Sequence, residues 1–131
     1  MSSDFSKALN VTTSGLQAQA QRLRHLSENI SNADTPGYRR KTISFETEGF
    51  TARDLGEVST GQVKLDRSEL KQIYDPSHPM ADTSGHYSGS NVNLLIELTD
   101  AREAQRSYEA NLKIFEQTRA MSSSLMDLLR R

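Results

Sequence analysis

The sequence predicts a mainly α fold: long N- and C-terminal helices forming a coiled-coil layer, with a small irregular β-hairpin insert between them. Three observations carry this. From Asn91 to Arg131 there is neither Pro nor Gly. Apolar residues in both terminal segments recur in alternating steps of three and four, the spacing of one helical stripe. Between the two segments the pattern changes to short alternating or β-branched runs broken by Gly and Pro. The resulting parts are residues 1–33, 34–90 and 91–131.

The first helix is read from Phe5, Leu9, Thr12, Leu16, Gln19, Leu23, Leu26 and Ile30. Ser3 or Asp4 is its expected N-cap. Gly15 within the pattern costs about 1 kcal/mol relative to Ala, so the helix is weak alone. It stops near Asn32, because Pro36 pushes Thr35 out of the helical region and Pro36-Gly37 is a turn signal. Strand-like runs follow at 42–45, 61–65 and 71–74, with glycines at 49, 56, 61, 85 and 89 as punctuation. Asp75-Pro76 and His78-Pro79 fix a corner. Asn91 or Asn93 caps the second helix, with Glu97 and Asp100 near its N-terminal dipole and Arg130 and Arg131 at its negative end.

The second helix carries Leu94, Leu98, Ala101, Tyr108, Leu112, Phe115, Met126 and Leu129 on one stripe, interrupted by Gln105, Arg119 and Ser122. A second, adjacent stripe holds Ile114, Met121, Leu125 and Leu128. Glu109 with Lys113, and Glu103 with Arg106, are spaced to pair on the polar faces. From Asn93 to Leu129 such a helix is roughly 55 Å long at ~1.5 Å per residue. A globule of this chain length is only about 35 Å across. The helix therefore projects, and a helix apolar on two sides wants more than one neighbour.

Composition points the same way. Hydrophobic residues make up 34% with no Trp, and mean hydropathy is −0.67, low for a chain that buries a compact core of its own. The 16 basic and 17 acidic residues nearly cancel, so no whole-chain field attracts nucleic acid or an anionic membrane. No apolar run is long enough to span a bilayer, and no cleavable leader is recognisable. Without Cys, disulfides and thiolate metal sites are excluded.

Residues with chemical potential are few. His25, His78 and His86 lack ligand spacing, and Asp75 and Asp82 read as solvated loop carboxylates rather than an acid–base pair. No serine sits in a nucleophile elbow and no Gly-rich phosphate loop occurs. No small-molecule substrate or cofactor is expected. Arg39, Arg40 and Lys41 form a basic cluster beside Tyr38, expected to be a solvated face or an inter-subunit ion-pair contact.

Two motifs then carry a resemblance. The run Asn29-Ile30-Ser31-Asn32-Ala33-Asp34-Thr35-Pro36-Gly37-Tyr38-Arg39-Arg40 is similar to the segment closing the N-terminal helix in flagellar rod and hook proteins. The run from Asp75, Pro76 and Pro79 through Gly85 to Asn91-Val92-Asn93, with Arg106 to Asn111 in the last helix, resembles the proximal rod proteins of the bacterial basal body. The resemblance implies a structural rod subunit with terminal helices inside and the insert outside. It also implies periplasmic assembly with copies of itself and other flagellar rod proteins, export by the flagellar export apparatus without a cleaved signal peptide, and torque transmission without catalysis. On this reading the packing seams are Phe5, Leu9, Leu16, Leu23, Leu26 and Ile30 with Leu94, Leu98, Tyr108, Leu112, Phe115, Leu125, Leu128 and Leu129. The corners are Asn29, Asn32, Thr35, Pro36, Gly37, Tyr38, Asp75, Pro76, Pro79, Asn91 and Asn93. Asn29 and Asn32 are expected to satisfy backbone groups at the helix end, where Asn tolerates the left-handed conformation. Two other classes remain open at this point: a soluble helical adaptor that binds partner helices, and a metal-dependent enzyme using the loop from His78 to His86.

Overall fold

The computed structural model describes residues 2–48 and 56–130. Gly49 and Arg131, used above as a turn residue and a dipole partner, lie outside the described residues. Helix α1 (Ser2–Ser31) and helix α2 (Leu94–Leu129) form an antiparallel hairpin. Three contacts set its direction: Asn29 meets Glu97, Arg22 meets Glu103 at 3.7 Å, and a Cβ added to Gly15 would stand 3.1 Å from Nδ2 of Asn111.

Between the helices, among the described residues, lie six short strands: β1 (Lys41–Thr42), β2 (Phe45–Glu48), β3 (Glu57–Thr60), β4 (Lys64–Leu65), β5 (Gln72–Tyr74) and β6 (His86–Ser88). They pair antiparallel as β1–β4, β2–β3 and β5–β6. The first two pairs are pieces of one long ribbon. Lys41 faces Leu65 and Thr42 faces Lys64, whereas Phe45 faces Thr60 and Glu48 faces Glu57. Residues 43–44 on one side thus oppose 61–63 on the other, a bulge held where Gly61 donates to the Ser44 carbonyl at 2.8 Å. Beyond the bulge the ribbon lies on α1: Val58 N–H donates to Ser14 Oγ at 3.0 Å and Thr60 Oγ1 to Gln21 at 2.6 Å.

The coverage of α2 shows how the hairpin packs. Its buried and half-buried positions repeat as Glu97, Ala104, Asn111, Thr118 and Leu125, and as Ala101, Tyr108, Phe115 and Ser122. The second of these rows is the one expected from sequence. The first stands one residue before the expected Leu98, Leu112 and Met126, which are exposed. The physical reason is size. Gly15 faces Asn111, and Ala18 and Ala104 are buried, so the helices approach closely at small side chains, and the row of Leu98, Leu112 and Met126 is turned outward. Leu94, Leu128 and Leu129 are likewise exposed and take no part in this seam, whereas Tyr108, Phe115 and Leu125 do. On α1, Leu26 is buried and Phe5, Leu9, Leu16, Leu23 and Ile30 are half-buried. α1 begins at Ser2, so neither Ser3 nor Asp4 is its N-cap.

Candidate functional site

The motif residues converge where the two helices meet the insert. Asn29, on the last turn of α1, is fully buried. Its Nδ2 donates to the Lys41 carbonyl at 2.9 Å and to Glu97 Oε2 at 3.2 Å; its Oδ1 accepts from the Tyr38 hydroxyl at 2.8 Å and from Lys41 N–H at 2.9 Å. One amide therefore joins the end of α1, the start of the ribbon and the first turn of α2. The asparagines satisfy backbone groups at the helix end as expected, but not through the left-handed conformation. Among the described residues no non-glycine has a positive φ, and Asn29 acts through its side chain from within the helix. Asn32 donates to the Glu28 carbonyl at 2.9 Å and accepts from Thr35 Oγ1 at 3.1 Å.

Glu97 is the second buried hub, at 0% exposure. A buried carboxylate is costly unless paired and hydrogen-bonded, and both conditions are met. Arg40 Nε donates to its Oε1, and the same guanidinium reaches Asp100 at 3.4 Å and Asp66 at 3.9 Å. Arg40 is thus drawn into the buried junction instead of standing on a solvated face, and Lys41 pairs with Glu28 at its partly exposed rim. Lys41 Nζ sits 2.7 Å from Glu28, and that bond holds the Glu28 carboxyl below its ordinary range while raising Lys41. Desolvation pushes the Tyr38 hydroxyl up. Glu103 pairs across the hairpin with Arg22 instead of with Arg106 along its own helix.

The second motif closes the junction from the other side. Asn91 Oδ1 accepts from Arg40 N–H at 2.6 Å, while its Nδ2 donates to the Asp66 carbonyl at 2.9 Å. Ser90 Oγ donates to the Ala33 carbonyl and accepts from Val92 N–H at 3.3 Å, beside the buried Val92 side chain. Asn93 is the N-cap, accepting from Leu95 N–H at 3.1 Å. Gly37 takes φ 74°, a conformation suited to glycine, and its N–H reaches the carbonyls of Ser88 and Gly89, docking the Pro36-Gly37 turn on β6.

The loop 75–85 is stiffened by its own side chains. Asp75 Oδ1 accepts from Ser77 N–H and Oγ, and Asp82 Oδ1 from Ser84 N–H and Oγ and from His86 N–H. These bonds, serine first, lower both carboxyls. Asp66 with Ser68 repeats the arrangement. His78 stacks on Tyr87 at 3.9 Å between ring centres, and Tyr74 tilts against His86 at 5.1 Å. Pro76 and Pro79 are exposed on this loop. No group of three or more metal-ligand side chains occurs among the described residues. Nor is any helix of the described residues long and apolar enough to cross a membrane.

The sequence reading marked Asn29, Tyr38, Gly37, Asn91 and Asn93 but missed Glu97, Arg40, Asp66 and Ser90 as a linked set. A signal for Glu97 existed: it stands seven residues before Ala104 on the covered row of α2, where an acid is anomalous unless paired.

The sequence is matched by relatives. Residues 3–39 match a family model described as flagella basal body rod protein, and residues 83–128 match the C-terminal model of flagellar basal body rod FlgEFG proteins. A flagellar basal-body rod protein FlgC from Agrobacterium fabrum is 46% identical, covering 96% of each chain. The chain belongs to the FlgC family of flagellar basal-body rod proteins. Other FlgC relatives include those of Borreliella burgdorferi, 32% identical over 93% of this chain and 95% of the relative, and of Salmonella typhimurium, 28% identical over 91% and 93%. Both junction motifs of this FlgC-family chain fall at the inner ends of the two matched regions: Asn29–Gly37 ends the first, and Asn91–Glu97 lies early in the second. The chain is a structural subunit of the flagellar basal-body rod.

Proposed function

We propose that this subunit transmits torque in the periplasm-crossing part of the rod, packing by its terminal helices against copies of itself and sibling rod proteins, with no catalytic role. One observation carries the reading. The seam of the hairpin is flanked on α2 by two exposed apolar rows, Leu98, Leu112 and Met126 on one side and Ile114, Met121 and Leu128 on the other. Exposed apolar side chains recurring along a helix, here with Gln105 and Arg119 between those of the first row, mark an interaction face. The segments 1–33 and 91–131 would form the inner helical layer and 34–90 the outer insert, with the polar junction fixing the angle between them. Small residues in the seam and Gly15 within α1 leave the isolated hairpin weakly held, which suits passage unfolded through the flagellar export apparatus.

Leu112→Asp tests the reading. Leu112 is 38% exposed and outside the intramolecular seam, so circular dichroism of the variant should match the parent. Rod assembly and motility should be lost. Normal swimming by that variant would refute an assembly role for this row.

A further inference from the structure

We propose that the β ribbon is a charge-polarised contact between neighbouring copies of the chain: the acidic distal half of one ribbon, at Glu46 and Glu57, docks on the cationic base of the next, at Arg39, Lys64 and Arg67. The proposal rests on the rod-subunit reading and names a partner surface outside the helices.

The base is a concavity lined by Arg39, Lys64, Leu65 and Arg67. Leu65 is 53% exposed in it. Among the described residues no carboxylate pairs with any of the three cations. The Arg39 guanidinium donates to the carbonyls of Asp66 and Ser68, which fixes its position without neutralising it. The carboxylate of Asp66 stands 3.9 Å from Arg40 and also feels the charge of Arg39, so the free charge of the base rests chiefly on Lys64 and Arg67. At the other end of the ribbon Glu46 and Glu57 are exposed, and no cation among the described residues pairs with either.

The two ends do not neutralise each other within one chain. Lys41 N–H is fastened to Asn29 and Val58 N–H to Ser14, so the ribbon runs beside fifteen residues of α1, about 22 Å at ~1.5 Å per residue. Hydrogen bonds at both ends keep it from folding back. A second copy supplies the missing charge to each end at once. Each copy offers an acidic end and receives one, so the contact is heterologous and propagates without closing. Exposed charges contribute little adhesion apiece and are screened over about 8 Å in physiological salt. Their effect is on register and orientation, while the helix rows supply the apolar burial.

The natural absence of cysteine gives a clean test. Within one chain positions 57 and 64 are about 23 Å apart along the strand at ~3.3 Å per residue, far beyond the ~7 Å Cα limit of a disulfide. Full-length chain carrying both Glu57→Cys and Lys64→Cys, assembled into basal bodies and oxidised, should give a ladder of linked copies on non-reducing gels, and neither single variant should. Basal bodies that contain the doubly substituted chain but yield only monomer would overturn the contact and leave the rod reading intact. Failure of the parent chain to enter basal bodies would overturn both. If the cysteine pair blocks incorporation, charge reversal decides. Lys64→Glu with Arg67→Glu should impair swimming, and adding Glu46→Lys with Glu57→Lys should restore it. Absence of restoration contradicts the contact.

Discussion

The junction of this molecule and the helical shaft leading away from it are built from opposite chemistry. At the junction the buried groups are polar. Asn29, Ser90 and Glu97 are at most 2% exposed; Asn29 and Glu97 bond each other across the helices, Asn29 also bonds the ribbon, and Ser90 ties the turn after α1 to the approach to α2. Along the shaft the seam is narrow and filled by small or half-buried residues, while Leu98, Ile114, Met121 and Leu128 face outward. Polar networks demand defined geometry and hold one angle. Apolar rows tolerate many partners and hold none until covered. On the proposed reading the contrast is a division of labour: the subunit's shape is fixed internally at one end, and its adhesion is kept for neighbours along the rest.

The junction breaks first. Glu97→Ala leaves the Arg40 guanidinium and the Asn29 amide without their shared acceptor, and losing one member of a buried pair costs about 3–5 kcal/mol. Urea unfolding followed by tyrosine fluorescence should show the loss, with Glu97→Gln milder because Asn29 keeps an acceptor. A shift below 1 kcal/mol would show that the junction is not the fixed point described here. The seam should respond less. Gly15→Leu inserts bulk where even a Cβ comes 3.1 Å from Asn111, and overpacking of that kind costs about 1–3 kcal/mol. The cap comes next: Asn93→Ala removes the acceptor for Leu95 N–H and should cost about 1 kcal/mol in the same assay.

The smallest effect is on pH dependence. Glu28, Asp66, Asp75 and Asp82 all have carboxyls lowered by folding, through Lys41 for the first and serine hydrogen bonds for the others. Each contribution is present above the unfolded carboxylate range near pH ~4 and is lost as pH falls through the lower folded value. Stability should therefore decline on acidification below about pH 4, and Ser77→Ala with Ser84→Ala should flatten that decline. On the alkaline side, the raised Lys41 contributes until pH climbs through its folded value, above its ordinary range.

Much of the fold was legible because its signals are local. A Pro- and Gly-free stretch became α2, Pro36-Gly37 followed the end of the first helical segment, and three strand-like runs became parts of β1, β2, β4 and β5, while β3 and β6 were not read. The helix phase was harder to read. Rows 97–104–111 and 98–105–112 differ by one residue, and large apolar side chains in the second drew the reading toward it. In the folded hairpin Gly15, Ala18 and Ala104 set the phase of the seam, since they let the backbones approach. The junction was legible only in outline. Asn29, Tyr38 and Asn91 belonged to recognisable motifs, yet Arg40 and Glu97 are 57 positions apart and nothing local links them. Glu97 was read as a dipole partner, which its place in the first turn allows, but its burial depends on a cation contributed by the far side of the insert.

The most direct measurement is the reactivity of a single thiol at position 112, introduced as Leu112→Cys into this cysteine-free chain. Maleimide should modify it readily in the free subunit, where the position lies outside the seam, and scarcely at all in purified basal bodies, where a neighbouring helix covers it. Equal labelling in both states would contradict the claim that this row is the surface by which the rod is built.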